Sequence, residues 1–393
     1  MPFTKVGSSM IDSMDASKLS GALPSLDSTN LTGLYESGEI IMKGADDPQI
    51  DTNPTTVGKL WLNTTSGKMY SCTDITTGAN VWKAVSSVGE IAPFFTFMQG
   101  ETYGYSAGGE NDSTGLDIHK TDFASDGDAT DHGDLTSASN ATAGGSSATH
   151  GYIAGGYAQG VPSNAATRID KFAFSSNTIA TTVAHLPTGG YNHAAHSSYH
   201  EDKTFITGGW PNGTQIVAWS HSNDGSVSNV GSLAANGTNE HAGTASSTHG
   251  YLAGGNNNGI SQISKFLFAS GHTHTNVGNL HTYVQEMGAS TASDYGYTHA
   301  GHDGSWNNKD IIQKHAFASD GDATSVGQLT EAKNASGGFS SMTHGYCMGG
   351  KPASGSPAHT DRIEKYTFVS DGSANTVGVL MNQLQHIPAG FQV

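Results

Sequence analysis

Histidine recurs at one place in this chain. His150, His249 and His344 each precede a Gly-Tyr pair, Tyr103 and Tyr295 hold the matching place in two further copies, and His200 falls where a sixth would stand. A ring of imidazoles invites a metal reading, but ligation needs three or four donors converging at roughly 2 Å on one ion. Positions repeated once per unit of a large array lie too far apart for that, so these histidines are expected to serve a turn ahead of a glycine. Cys72 and Cys347 stand in different regions with neither zinc-site spacing nor a disulfide framework. No metal and no cofactor is expected. Polysaccharide cleavage would need two carboxylates facing one cleft. The aspartates here sit instead in Asp-Gly pairs (Asp126-Gly127, Asp224-Gly225, Asp320-Gly321, Asp371-Gly372), for which tight-turn chemistry is sufficient. The expectation is a protein that is not an enzyme and has no catalytic residue.

Recognition is a better match for the residues that vary between copies. Tyr157, Trp210 and Trp306, with Asn212, Asn257 and Asp303 among them, lie in segments that each follow a glycine pair or its degenerate form. Flat aromatic faces beside amides and a carboxylate suit a sugar, whose C–H face stacks while its hydroxyls hydrogen-bond. Variable loops on a rigid scaffold are where binding usually resides. The competing reading is that the aromatics cap hydrophobic layers between repeats.

The scaffold is written in a recurrent phrase. Tyr103–Gly109 reads YGYSAGG, His150–Gly156 HGYIAGG, His249–Gly255 HGYLAGG and His344–Gly350 HGYCMGG, with looser copies at Lys203–Gly209 and Tyr295–Gly301. The closing glycines, 109, 156, 209, 255, 301 and 350, recur every 46 to 53 residues, the period of a β-propeller blade. Each copy resolves into four strand candidates, typified by Ala141–Ala148, Gly151–Ala154, Arg168–Phe174 and Thr181–Leu186. The third strands alternate with period two (Ile263–Phe268, Ile312–Phe317, Ile363–Phe368), and the fourth end in leucine. First strands are poor in bulk, as the crowded axis of a propeller requires. The tail His386–Gln392 (HIPAGFQ) matches the first strand at Ala335–Ser341, with no partners after it. A leftover inner strand closes the ring by completing blade one, a place for which Ile91–Met98 competes.

Composition agrees with such a fold. Of 393 residues, 52 are glycine and only 13% are charged, too few for long charged helices. Net charge is −17 without basic clusters, which excludes nucleic acid as a partner. No run of about 18 apolar residues offers a membrane span, and the start MPFTKVGSSM has no apolar segment of a secretory signal. Ahead of the repeats, Lys59–Leu62, Lys68–Thr73 and Asn80–Val85 read as a three-stranded meander with Trp61, Tyr70 and Trp82 on its apolar face.

Glycine pairs after an apolar strand at this period resemble kelch-type repeats, although the Tyr and Trp that kelch blades carry later in each repeat are replaced by the phenylalanine of the third strand. Copper oxidases of the galactose-oxidase kind share that architecture, but Cys347 beside Tyr346 lies inside the repeated phrase and reads as core. The phrases Ala16–Pro24 (ASKLSGALP), Asn30–Gly33 (NLTG) and Gly58–Trp82 resemble bacteriophage virion proteins, tail fibres and related appendages above all. That resemblance covers roughly the first 85 residues.

The expected fold is all-β: a six-bladed kelch-like β-propeller closed by a C-terminal strand over 89–393, behind a small β module at 46–88 and an extended attachment and oligomerisation segment at 1–45. The expected function is a non-enzymatic phage virion protein, a tail fibre whose propeller contacts the host surface. Its partners would be other virion proteins through the N-terminal segment, and host cell-surface glycan or protein. A homo-oligomer, a trimer, is expected, located on the virion. Rival readings are a structural head or tail component that binds virion proteins, and a surface-polysaccharide depolymerase.

Overall fold

The computed structural model describes residues 41–393, apart from 86–89, 92–97, 110–115, 158–166, 199–201, 212, 226, 234–238, 257–260, 270, 355–357 and 382–387, and gives backbone alone for 90–91 and 192–198. Residues 1–40 of the expected attachment segment 1–45, His200, and most of Ile91–Met98 lie outside the described residues. The chain divides into two compact units, residues 1–94 and 95–393.

The smaller unit holds one five-stranded sheet. Leu60–Asn63, Met69–Asp74 and Val81–Ala84 form the expected meander. Two further strands extend it: Ile41–Gly44 runs parallel to Leu60–Asn63, and Glu90–Ile91 pairs with Trp82-Lys83. The module therefore begins before residue 46 and ends after residue 88. Alternation sends Tyr70, Cys72 and Trp82 to one buried face, with Met42 and Trp61 at its edge. Trp61 meets Trp82 edge-on at 6.2 Å and donates its indole N–H to the Asp46 carbonyl at 3.0 Å.

Among the described residues the larger unit is all-β, with six sheets that each have a four-stranded antiparallel core. Five of them are contiguous in sequence and start at Ala143, Tyr191, Ala242, Gly288 and Gly337. In the remaining sheet, counted as the first, Ala389–Gln392 pairs with Tyr103–Ala107, so the last strand of the chain joins its first repeat. The tail thus takes the inner position for which Ile91–Met98 was a rival. The first strands touch in succession: Ala389–Gln392 lies beside Ala143–Ser146, and Gly337–Ser340 lies beside Ala389–Gln392. Their small residues are explained by this crowding. A Cβ on Gly144 would sit 2.6 Å from the Gly390 carbonyl oxygen. Side chains knit the same strands, as where Ser340 Oγ accepts from the Thr291 N–H at 2.7 Å.

What joins one sheet to the next is a repeated ring contact. The aromatic residue of each second strand packs on the ring that ends or follows the third strand of the next sheet. The pairs are Tyr105–Phe174 (4.9 Å), Tyr152–His221 (5.1 Å), Phe205–Phe268 (5.0 Å), Tyr251–Phe317 (4.7 Å), Tyr297–Phe368 (4.8 Å) and Tyr346–Phe123 (5.1 Å). The last pair carries the sixth sheet onto the first. Each such pair adds about 0.5–1.5 kcal/mol beyond the area it buries.

The glycine inside the repeated phrase has a local cause. Gly151 faces Phe172 across the ladder, and a Cβ there would strike the phenyl ring. Gly250, Gly296 and Gly345 face Phe266, His315 and Tyr366 in the same register. The glycine pair that follows is needed because both residues are left-handed, φ 66° at Gly155 and 102° at Gly156, where a side chain is strained.

Polar clamps add to the apolar contacts. Lysines of the third strands reach the Asp-Gly turn of the next sheet: Lys171–Asp224 (2.8 Å), Lys265–Asp320 (2.6 Å), Lys314–Asp371 (2.5 Å) and Lys365–Asp126 (2.8 Å). The aspartates, read from sequence as turn formers, have this second role. A buried polar residue of the third strand also holds the linker arriving from the preceding sheet. Glu364 accepts from Thr330 N–H and Oγ1 at 2.6 Å, Gln313 from Thr282 N–H at 2.7 Å, and His119 from Met381 N–H at 3.3 Å. In the third sheet the matching linker residue is Pro187, which has no N–H, and the matching strand residue is the apolar Val217. Donor and acceptor are lost together, as the cost of an unpaired buried polar group demands.

Candidate binding surface

The segments after the glycine pairs leave the sheets at one end of the second strands. Tyr157 directly follows Gly155-Gly156; its backbone bridges to Asn140, and its ring meets Tyr191 perpendicularly at 5.7 Å. Trp210 ends the strand Lys203–Trp210, opposite Tyr191 in the ladder, and is 56% exposed before a cis peptide to Pro211. Tyr191 thus links two of the predicted residues, and sequence reasoning missed it because it opens a first strand rather than a loop. Asn212 and Asn257 lie outside the described residues.

The other pair belongs to the fifth sheet. Asp303 folds its own loop: its carboxylate accepts from Ser305 and Asn307 N–H at 2.9 and 3.0 Å and from the Asn307 side chain at 3.0 Å, with Lys309 Nζ at 3.0 Å. The Asn307 and Lys309 bonds hold its carboxyl well below the usual range. Its oxygens are therefore engaged within the loop that carries Trp306. Trp306 is 69% exposed, sits at φ 64°, and stacks on the buried His302 ring at 4.2 Å and 10°.

Beneath the indole runs a chain of buried polar groups. His302 Nδ1 donates to the Asp303 carbonyl at 2.7 Å, which leaves Nε2 to accept from Gln285 at 3.2 Å. Tyr283 donates its hydroxyl to Gln285 at 2.6 Å. Glu286 Oε2 lies 3.6 Å from His302 Nε2 and accepts from Asn334 at 3.0 Å. Burial, with Glu240 nearby, pushes the Glu286 carboxyl up to about 7, while burial lowers the imidazole of His302. The two shifts oppose an ion pair: the imidazole stays uncharged near neutral pH, and the carboxyl gains its proton as the pH falls through about 7. None of Gln285, Glu286 and Tyr283 was marked from sequence, since nothing in their spacing signals that a loop from another strand will cover them.

The repeated histidines behave as turn residues. His150, His249 and His344 each bond the preceding threonine hydroxyl at 2.8 Å through Nδ1, and their N–H groups reach Ser147, Ser246 and Ser341. Among the described residues, no three His, Cys, Asp or Glu side chains gather as a metal site. Cys347 and Cys72 are buried free thiols. Between the first strands lies a cavity of about 80 Å³ lined by Met98, His241 and a collar of glycines and alanines.

No protein-family model matches this sequence, and no curated protein does. Among solved structures, that of YjhT is similar in fold: TM-score 0.56 and 15% identity, over 70% of this chain and 97% of that one.

Proposed function

We propose that residues 95–393 form a six-bladed kelch-like β-propeller closed by its C-terminal strand. The chain would be a non-enzymatic phage virion protein, a tail fibre, whose propeller meets glycan on the host surface. The observation that carries the architecture is the succession of six ring contacts that ends with Tyr346 on Phe123. The rim carries the contact: Trp210 and Trp306 stand more than half exposed at sheet ends, each turning indole surface to solvent. The virion assignment rests on the fibre-like phrases of the first 85 residues, which would bind other virion proteins and join copies of the chain as a trimer. Antibody labelling of purified particles tests it together with adsorption. The expected result is label on a tail appendage, and competition of adsorption by the purified full chain. Label confined to the head, or adsorption unaffected by a large excess of the chain, would overturn it.

A further inference from the structure

Behind Trp306 lies a chain of buried polar groups drawn from two linkers between sheets. We propose that the outward face of Trp306 is a stacking platform for a neutral pyranose ring, and that His302 and Glu286 are positioning residues that hold the platform in place. This rests on the glycan-contact reading above and specifies its site.

An exposed indole ordinarily samples several rotamers, and ordering it would weaken binding. Here its rear face lies flat on His302, a residue with no exposed surface. The backbone N–H of Trp306 is tied to the Asp303 carbonyl at 2.9 Å, the same carbonyl that receives His302 Nδ1. The left-handed φ of 64° at a bulky residue is a strain maintained by that surrounding structure. Imidazole and indole are in turn fixed from below by Gln285, Glu286 and Asn334, which come from two different linkers. One aromatic face is thus immobilised and the other left to solvent.

The ligand class follows from what surrounds the ring. The Asp303 carboxylate is offset by Lys309 and consumed by amide donors, so the loop offers no uncompensated charge to an ionic ligand. Tyr283 lies beside the same loop, its ring 3.6 Å from where a Cβ on Gly304 would stand. A pyranose presents an apolar C–H face to an indole and hydroxyls to phenol and amide groups at its edge. The groups that face Glu286 and His302 and set any response to pH are Glu240, Lys351 and Asp303.

The test uses the full chain and saturation-transfer NMR with the methyl glycosides of glucose, galactose, mannose and N-acetylglucosamine at millimolar concentration. The expected result is transfer to the ring protons of at least one glycoside, weakened tenfold or more in Trp306→Ala and within twofold of wild type in Val369→Ala, an exposed residue outside the segments that follow the glycine pairs. Positioning is read separately from the fluorescence difference between wild type and Trp306→Phe. That signal is expected to change between pH 8 and 6 in wild type and to stay flat in Glu286→Gln. Equal binding by Trp306→Ala, no transfer to any of the four glycosides, or an unchanged pH response in Glu286→Gln would overturn the proposal. If the glycosides fail while the labelled chain still coats host cells, the platform falls and the surface-contact reading stands.

Discussion

His315 occupies a position that other sheets fill with Phe172, Phe266 and Tyr366, each opposite the glycine of the repeated phrase. It is buried, and burial alone lowers its imidazole from 6.5 to about 4. The native state therefore binds fewer protons than the unfolded chain between these values. Stability is fully present above pH 6.5 and is lost as the pH falls towards 4. A shift of this size corresponds to roughly 3 kcal/mol at full effect. Replacing His315 by Phe keeps a ring over Gly296 and removes the titrating group. The ring's bond to Thr244 is long, at 3.4 Å, so its loss costs about 1 kcal/mol or less at pH 7.5. The assay is urea unfolding of wild type and His315→Phe at pH 7.5 and 4.5. The variant should lose about 2 kcal/mol less than wild type on acidification, the part of that roughly 3 kcal/mol reached by pH 4.5. Parallel pH dependence in the two proteins would refute the reasoning.

Other predictions concern the clamps between sheets. Lys333 and Glu364 form a buried ion pair, and Glu364 also holds the Thr330 linker, so Glu364→Leu should cost about 3–5 kcal/mol by stranding the ammonium, measured by urea unfolding. Glu364→Leu with Lys333→Met should recover most of that loss. Phe391 is fully buried on the last strand and meets Phe172 edge-on at 5.1 Å; Phe391→Ala should cost about 3–5 kcal/mol. Lys365→Ala breaks the partly exposed pair with Asp126 and should change stability by no more than about 1 kcal/mol.

The repeats were legible because their signals are local. Alternation in Ile363–Phe368, leucine at the close of the fourth strands, and Asp-Gly turns all speak of neighbours in sequence, and the strands fell where they were expected. The tail was legible as well, since a first-strand pattern without partners has one use. Relations between sheets were not. Nothing in Lys365 announces Asp126 as its partner, and Ile41–Gly44 is too short and too far from its parallel neighbour to show as a strand. At the rim, Trp306 was visible as an exposed type in a variable loop. The carboxylate of Asp303 was not visible as a loop scaffold, because its partners Asn307 and Lys309 declare themselves only when the loop closes.

Ring closure by the C-terminal strand is tested most directly by a disulfide. Ala107 and Ala389 are buried and face each other in the ladder between the last strand and the first repeat. The double variant Ala107→Cys, Ala389→Cys should oxidise fully in the folded chain, and reduction should lower its urea midpoint. Free thiols at both positions under conditions in which the chain is folded would contradict the account.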